Sequence, residues 1–327
     1  MERILLAIAG LFNELTAVIL MGGLFAFSTH VLLINKRTRL LRRDNKALKI
    51  KQEESKRVLQ QRNLLQSRTK SIEASLKYAH RIQTAVFTTP KQLQKLFPDS
   101  FIYQKPKEIV SGDFYWARRT KGKIIFSVAD CTGHGVPGAF MSLIGIEFFR
   151  QIVLGKGILE PAGILNEMNF HFDQVFGSLD ELALKDGIDL GCCAYDPKTR
   201  ILEYAGAFNP LYLVRNNEII KVKGDRIIVG PDYGVQRGTF ENKRIKLQEE
   251  DVLYMFSDGY PDQFGGPEGK KFKYRRFRHM LMTIHKLPMA EQLQILEENM
   301  KEWMGGLNDQ IDDQTVIGVR PVSPSSS

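Results

Sequence analysis

An uninterrupted apolar segment near the N-terminus constrains this 327-residue chain more than any other feature. Residues 15–34 carry His30 as their only ionisable side chain. At a rise of about 1.5 Å per residue, some 20 helical residues cross a hydrocarbon core of about 30 Å. The segment therefore predicts one transmembrane helix, and we assign residues 1–35 to a membrane anchor.

A basic cluster follows the apolar segment directly and predicts its orientation. The cluster comprises Lys36, Arg37, Arg39, Arg42 and Arg43. Lys and Arg beside a membrane helix mark its cytoplasmic side, so we expect a single-pass protein of the inner membrane with everything downstream in the cytoplasm. The charges favour contact with anionic headgroups. No aromatic residues interleave them, so we expect no nucleic-acid partner despite the net charge of +9. A cleaved signal peptide is the alternative. In a signal peptide, however, the basic residues precede the apolar core, whereas here they follow it.

Residues 36–89 form a polar connecting segment with the composition of a helix. Neither proline nor glycine occurs between residues 44 and 86. Apolar side chains recur every seven positions, at Val58, Leu65, Ile72, Ala79 and Val86. Such a heptad repeat predicts a coiled coil, and hence a homodimer through residues 44–86. The companion positions Arg62 and Thr69 are polar, which leaves a solvated single helix as the alternative.

Four aspartates stand beside predicted strands in residues 90–322, which we assign to a single domain. Asp113 precedes a strand at 114–118, Asp130 follows one at 123–129, Asp258 follows one at 251–256, and Asp312 precedes one at 316–319. Aspartate is a common turn residue, so any one of them alone means little. Four carboxylates in one domain repel each other, and divalent cations, which prefer oxygen ligands, neutralise that repulsion. Two such ions can share a water, lower its pKa and stabilise attack on phosphorus. The pattern therefore predicts phosphate-ester hydrolysis without a Ser, Cys or His nucleophile.

The segments around these aspartates resemble the ordered motifs of the metal-dependent protein phosphatases. The resemblance is to the bacterial branch with the stage II sporulation phosphatase and the phosphatases of sigma-factor regulators. The segments are Ser-Gly-Asp-Phe-Tyr (111–115), Ala-Asp-Cys-Thr-Gly-His-Gly (129–135), Phe-Ser-Asp-Gly (256–259) and Asp-Asp-Gln-Thr (312–315). The resemblance implies an α+β fold, a four-layer sandwich of two antiparallel β-sheets flanked by helices. It also implies two Mn²⁺ or Mg²⁺ ions and a phosphoserine or phosphothreonine substrate on a regulatory protein, such as an anti-sigma-factor antagonist.

The resemblance also implies a role for each site residue. Asp130 bridges both metals, the carbonyl of Cys131 binds one of them, and Asp258 and Asp312 complete the shell of the other. Asp113 binds through water or orients the nucleophile. The expected surrounding and turn residues are Gly112, Gly133, His134, Gly135, Gly259, Asp262 and Asp313. We prefer Asp312 over Asp313 as the metal ligand because, in the family pattern, the ligand is the first residue of this four-residue motif. For His134 we favour a structural role over that of a general acid.

Two other functions compete with the phosphatase. A catalytically inactive phosphatase-fold scaffold should have lost a metal aspartate, and a two-metal nucleotide cyclase fits the four ordered motifs poorly. A basic run after Asp258 contains Lys270, Lys271, Lys273, Arg275, Arg276 and Arg278 between aromatic residues. We expect a solvated helix face there, with a docking patch for an acidic partner or the phosphoprotein as the alternative. Residues 323–327 are expected to form a disordered tail.

Overall fold

The computed structural model describes residues 1–177, 187–231, 238–306 and 308–322. The expected tail at 323–327 lies outside these residues. The chain divides into two units, Met1–Glu73 and a second that begins at Ala74. The first unit is entirely helical and belongs to α1 (Glu2–Val86). The N-terminal part of α1 is long and apolar enough to cross a membrane, with a mean hydropathy of 2.1.

The side chains of the first unit have no core of their own. Almost all are exposed, including Val58 at 64% and Leu65 at 63%. Isolated helices are marginally stable in water, and most helical stability in proteins comes from packing of an apolar face. Burial in a membrane or against another chain would therefore stabilise the apolar side chains of this unit.

The helix α1 ends just before Thr88, Thr89 and Pro90. Its last residue is Val86, and α2 (Pro90–Leu96) begins directly afterwards. Thr89 caps α2, because its hydroxyl accepts from the Gln92 N–H at 3.3 Å while the Gln92 side chain accepts from the Thr89 N–H at 2.7 Å. This reciprocal pair is a capping box, which favours the start of a helix.

In the described part of the second unit, two antiparallel sheets form the centre of the fold. The first has the order β1-β12-β9-β6-β7 and the second the order β2-β3-β4-β5-β8. The strands are β1 (Ser100–Lys105), β2 (Phe114–Thr120), β3 (Lys123–Cys131), β4 (Ile188–Asp196), β5 (Ile201–Ala207), β6 (Leu211–Arg215), β7 (Glu218–Val222), β8 (Lys243–Lys246), β9 (Val252–Phe256) and β12 (Gln314–Val319). A small hairpin, β10 (Phe264–Gly265) and β11 (Lys270–Lys271), lies apart from both sheets.

Helices cover the outer face of each sheet. They are α3 (Gly135–Phe149), α4 (Pro161–Phe176), α5 (Gly259–Asp262), α6 (Lys273–Ile284) and α7 (Met289–Met304). Buried residues of the second sheet pack with α3 and α4, and those of the first sheet pack with α6 and α7. A third cluster joins residues of both sheets. This arrangement confirms the predicted four-layer sandwich, since a sheet must bury each apolar face against another layer.

The adjacent cysteines show how both faces of a sheet become buried. Successive side chains of a strand point to opposite faces. Cys192 accordingly packs in the cluster with α3 and α4, whereas Cys193 packs between the sheets. Both are buried, so the face opposite the central core is covered as well.

The predicted boundary next to Asp130 was wrong. The strand before the second motif continues to Cys131, so Asp130 lies within β3 and does not follow it. The reason is that β4 pairs with β3 as far as Cys131, opposite Ile188. After the motif, α3 is α-helical to Phe149 and continues as a π-helix, Arg150–Lys156, which Gly157 ends in the left-handed conformation.

Candidate metal centre

Four of the predicted aspartates act on one another electrostatically at one edge of the sandwich. Asp130 in β3 and Asp258 after β9 come from different sheets, yet the charge of Asp258 acts on the Asp130 carboxyl group. Burial, and then the charges of Asp113, Asp258 and Asp312, raise the pKa of Asp130 well above its usual range. The edge where β3, β9 and the start of β12 meet is therefore strongly acidic.

Asp113 is buried and held by a serine of another motif. Ser257 Oγ donates to Asp113 Oδ2 at 2.5 Å, and the Gln104 side chain donates to the Asp113 carbonyl at 3.3 Å. Burial raises the pKa of the Asp113 carboxyl to about 8, while the bond from Ser257 opposes that shift. Ser257 Oγ also accepts from the Thr315 N–H at 3.0 Å. One hydroxyl thus joins three of the four motifs.

The adjacent aspartates of the last motif have different surroundings. Both carboxylate oxygens of buried Asp313 accept from backbone N–H groups, from Lys107 at 2.7 Å and from Gly112 at 2.6 Å. Asp312 is half-buried, and its charge contributes to the raised pKa of Asp130 and of Asp258. Asp313 therefore holds the turn before Asp113, while Asp312 belongs electrostatically to the acidic edge.

Glycines in these motifs allow backbones to approach closely. A Cβ on Gly112 would lie 2.7 Å from the Gly133 carbonyl oxygen and 3.4 Å from the Cys131 carbonyl oxygen. A Cβ on Gly259 would lie 2.0 Å from the Asp313 carbonyl oxygen. No side chain fits in either place, so glycine is required if the motifs are to meet. The Cys131 carbonyl thereby lies near the turn that carries Asp113.

His134 lies in a hydrogen-bonded chain on the surface. Its Nε2 is 2.8 Å from Lys107 Nζ, and its Nδ1 is 2.8 Å from Glu108 Oε1. An ammonium can only donate, so Nε2 accepts and Nδ1 carries the proton toward Glu108. Gly133 and Gly135 on either side have positive φ, as the predicted turn requires. These contacts fit a structural role for His134, which stays a prediction.

Asp262 lies at the end of α5, which starts directly after Asp258. Its N–H donates to the Asp258 carbonyl at 2.9 Å. Its carboxylate accepts from Lys271 Nζ at 2.7 Å. Burial, and then the charges of Asp262 and Asp312, raise the pKa of Asp258, and the charge of the same lysine opposes that rise.

Asp189 is a site residue that the sequence reasoning missed. It lies in β4 directly opposite Asp130. Burial, and then the charge of Asp258, raise the pKa of Asp189 to about 6. The sequence signal that could have found it is a carboxylate between Ile188 and Leu190, inside an apolar strand. Charged side chains are seldom buried in such a strand unless they have a partner.

The donor set fits hard divalent cations. The converging groups are carboxylate oxygens with a nearby backbone carbonyl, which Mg²⁺ and Mn²⁺ prefer, whereas thiolates and imidazoles suit softer ions. Within the described residues, no three Asp, Glu, His or Cys side chains are placed so that together they could hold a metal ion. Asp113 is hydrogen-bonded to Ser257, while the charges of Asp113, Asp258 and Asp312 act on Asp130. Cations would relieve the mutual repulsion that raises these pKa values.

Comparison with known proteins identifies the family of the chain. Residues 120–321 match the family model of stage II sporulation protein E (SpoIIE). The chain belongs to the SpoIIE family. The predicted family and its fold are therefore confirmed, and this SpoIIE-family chain carries a PP2C-type phosphatase domain. The matched range includes Asp130, Asp258 and Asp312, while Asp113 lies just before it. A comparison with curated protein sequences finds no significant match.

Solved structures similar to this SpoIIE-family chain are bacterial PP2C domains. The SiaA PP2C domain of Pseudomonas aeruginosa is 32% identical with a TM-score of 0.70, and the match covers 77% of this chain and 98% of that one. The PP2C phosphatase domain of SpoIIE from Bacillus subtilis, with a fragment of its regulatory domain, is 21% identical with a TM-score of 0.54. That match covers 68% of this chain and 62% of the other. The RsbU and RsbW domains of a Mycobacterium tuberculosis protein are 21% identical with a TM-score of 0.51, over 70% and 62% of the two chains.

Proposed function

We propose that the chain is a membrane-anchored, metal-dependent serine/threonine protein phosphatase. The observation that carries the proposal is the convergence of Asp130, Asp258 and Asp312 from two sheets and a loop onto one acidic edge. Like charges placed close together lower the stability of a fold, because each disfavours the charged form of the others. The cluster is accounted for if cations bind there.

Each site residue has a role in this proposal. Asp130 would contact both of two Mn²⁺ or Mg²⁺ ions, the Cys131 carbonyl would hold one of them, and Asp258 and Asp312 would hold the other. When bound, the ions would supply a nucleophilic water of lowered pKa and stabilise charge on the phosphoryl oxygens. Asp113 would bind through water or orient the nucleophile, since Ser257 fixes its carboxyl group while Asp313 fixes the turn before it.

The anchoring and the dimer belong to the same proposal. Residues 1–35 form the anchor, residues 36–89 the connecting helix and residues 90–322 the catalytic domain, which faces the cytoplasm of an inner-membrane protein. The length and hydropathy of the N-terminal helix support the anchor. The exposure of Val58 and Leu65 supports a parallel dimer through residues 44–86.

The proposed substrate is phosphoserine or phosphothreonine on a regulatory protein, with an anti-sigma-factor antagonist as the example. Support comes from the family itself and from a similar structure in which an RsbU domain occurs together with an RsbW domain. An inactive scaffold is disfavoured because Asp113, Asp130, Asp258 and Asp312 are all present.

Turnover of p-nitrophenyl phosphate and of a phosphoserine peptide by the full chain in detergent tests the proposal. We expect activity that requires Mn²⁺ or Mg²⁺ and falls at least about 100-fold in Asp130→Asn and in Asp258→Asn, since even residues behind metal ligands are worth 10–100-fold. Asp196→Asn, a change of the same kind at the opposite end of β4 from Asp189, is the matched control. Turnover that persists unchanged in chelator contradicts the two-metal mechanism.

A further inference from the structure

A large basic groove lies beside the acidic edge. It runs between the β10–β11 hairpin, α6 and the C-terminal part of α7, and has a volume of about 1310 Å³. Its cationic lining residues are Lys270, Lys271, Lys273, Arg275, Arg276 and Arg278. Among the described residues that line it, Glu302 is the only acid. The basic run of the sequence thus forms one wall of a concave surface.

Amphipathicity explains why α6 turns its cations outward but not why they cluster. Phe277, Leu281 and Ile284 are buried on the inner face of α6, so polar residues must occupy the outer face. A stable solvated face usually mixes charges of both signs, because like charges on neighbouring helix positions repel. Here the outer face is almost entirely basic.

Most of these cations have no carboxylate partner in the described ranges. Lys270 pairs with Glu268 at 2.5 Å, and Lys271 pairs with Asp262 at 2.7 Å. No ion pair joins Lys273, Arg275, Arg276 or Arg278 to an acid within those ranges. The groove therefore offers unneutralised guanidinium groups, which can bind carboxylates in a bidentate fashion.

The floor of the groove is fixed before any ligand arrives. Trp303 Nε1 donates to the Gln263 carbonyl at 3.0 Å, and the Phe272 ring meets the Trp303 ring edge-on at 5.3 Å. The Arg276 guanidinium lies 4.3 Å from the centre of the Trp303 ring. A preformed floor lowers the entropy cost of binding.

The groove is connected to the metal centre through Lys271. This residue lines the groove and also donates to Asp262, one helical turn after Asp258. Tyr274, between the groove residues Lys273 and Arg275, packs its ring 6.2 Å from that of Phe256 at the end of β9. A chain that has one residue at the metal centre can therefore continue directly into the groove.

We propose that the basic groove binds an acidic segment of the phosphoprotein substrate, adjacent to the phosphorylated residue. This inference rests on the proposed phosphatase function and adds a specificity determinant to it. Charge complementarity selects an acidic ligand, and the concave shape with an aromatic floor selects a polypeptide segment over a flat lipid surface. Carboxylates of that segment meet Arg275 and Arg278, while its phosphorylated residue lies at the metal centre.

Paired phosphoserine peptides test the groove in the full chain, held in nanodiscs of neutral lipid. One peptide carries about four aspartates beside the phosphoserine and the other carries asparagines, and each is made with the flank on either side. The wild type should prefer the acidic peptide by about 10-fold in kcat/KM, through KM, because complementary charges across an interface favour the matching ligand. The preference should fall as salt rises.

Arg275→Gln combined with Arg278→Gln should reduce this preference to less than about 2-fold and leave p-nitrophenyl phosphate turnover unchanged. The matched control is Lys91→Gln combined with Lys95→Gln, which removes the same charge from exposed positions of α2. This control should keep the preference. Equal kcat/KM for the two peptides in an active wild type, or a preference that survives in the groove variant, overturns the proposal. If the groove variant instead loses only binding to vesicles of anionic lipid, the groove serves a membrane and the proposal is wrong. Absent p-nitrophenyl phosphate turnover in the wild type refutes the phosphatase function itself.

Discussion

Single side chains at the acidic edge divide into those that hold the backbone and those whose charge acts on the other aspartates. Asp313 accepts with both oxygens from backbone N–H groups, whereas the charge of Asp312 acts on Asp130 and Asp258. We expect Asp313→Ala to lower the free energy of unfolding by about 2–4 kcal/mol, because two donors lose their acceptor. Asp312→Asn should leave stability nearly unchanged and remove Mn²⁺ binding. Thermal melts and Mn²⁺ titration calorimetry distinguish them, and the opposite pattern makes Asp313 the ligand.

The raised pKa of Asp113 predicts how the metal-free protein responds to pH. Its pKa is about 8 in the folded protein against an ordinary value of 3.8, so between these values the folded state binds the extra proton. Stability therefore declines as pH rises from about 4 to about 8. Melts in chelator should show this decline, and Asp113→Asn should make it smaller, although Asp130 and Asp189, whose pKa values are also raised, still contribute to it. Saturating Mn²⁺ should reverse it, because metal binds the deprotonated carboxylates. Stability that rises over this range in chelator contradicts the prediction.

Asp189 provides a further test at the same edge. It faces Asp130 across the β3–β4 pair, where it can hydrogen-bond to a water or to a ligand of the ions. Asp189→Asn keeps the size of the side chain and removes its charge, so the strand should remain intact. We expect Mn²⁺ affinity to fall by about 10–100-fold, measured by calorimetry. The melting temperature in chelator at neutral pH should not fall, because the substitution removes a carboxylate whose pKa is raised in the fold. Unaltered Mn²⁺ affinity would assign Asp189 to the strand alone.

At the scale of elements, local signals in the sequence were enough to find the strands beside the four motifs and the motif turns. Asp130 and Asp258 were predicted because an apolar run followed by aspartate is visible in one window of sequence. Asp189 and Ser257 were not assigned roles, since theirs depend on the β3–β4 register and on packing between sheets, which no single window contains. The π-helical continuation of α3 also gave no local signal.

The last turn of α1 contacts the backbone of the first motif. Buried Gln83 donates to the Ser111 carbonyl at 2.6 Å and accepts from the Ser111 N–H at 3.1 Å, two residues before Asp113. Gln83→Ala leaves both backbone groups without this partner, at a cost of about 1–3 kcal/mol. Because Asp113 would then be less well positioned, we expect kcat to fall about 10-fold or more with little change in KM. Gln66→Ala, exposed on the same helix, is the control and should match the wild type. A loss confined to stability would limit Gln83 to packing.

The whole molecule combines a folded unit, which contains the PP2C-type domain, with a helical unit in which almost every side chain is exposed. The described residues of the second unit have three apolar clusters, whereas Val58, Leu65 and Ile72 of the first unit are each more than half exposed. A helix with apolar residues every seven positions gains stability only when another surface covers them. A second copy of the chain, as proposed, supplies that surface. Arg62 and Thr69 put polar side chains at the other core positions of the heptad and weaken the contact between the two helices, so dimer formation has to be measured directly.

Cysteine cross-linking in native membranes tests the parallel dimer. The native cysteines Cys131, Cys192 and Cys193 are buried, so an added cysteine on the helix is the accessible thiol. Leu65→Cys places a thiol on the heptad seam, and Ser67→Cys places one about 200° around the helix, on the side that faces away. Mild oxidation should convert Leu65→Cys largely to a disulfide-linked dimer and leave Ser67→Cys monomeric on a non-reducing gel. Equal cross-linking of the two variants would reflect random collision, and no cross-linking of either would leave α1 as a solvated single helix.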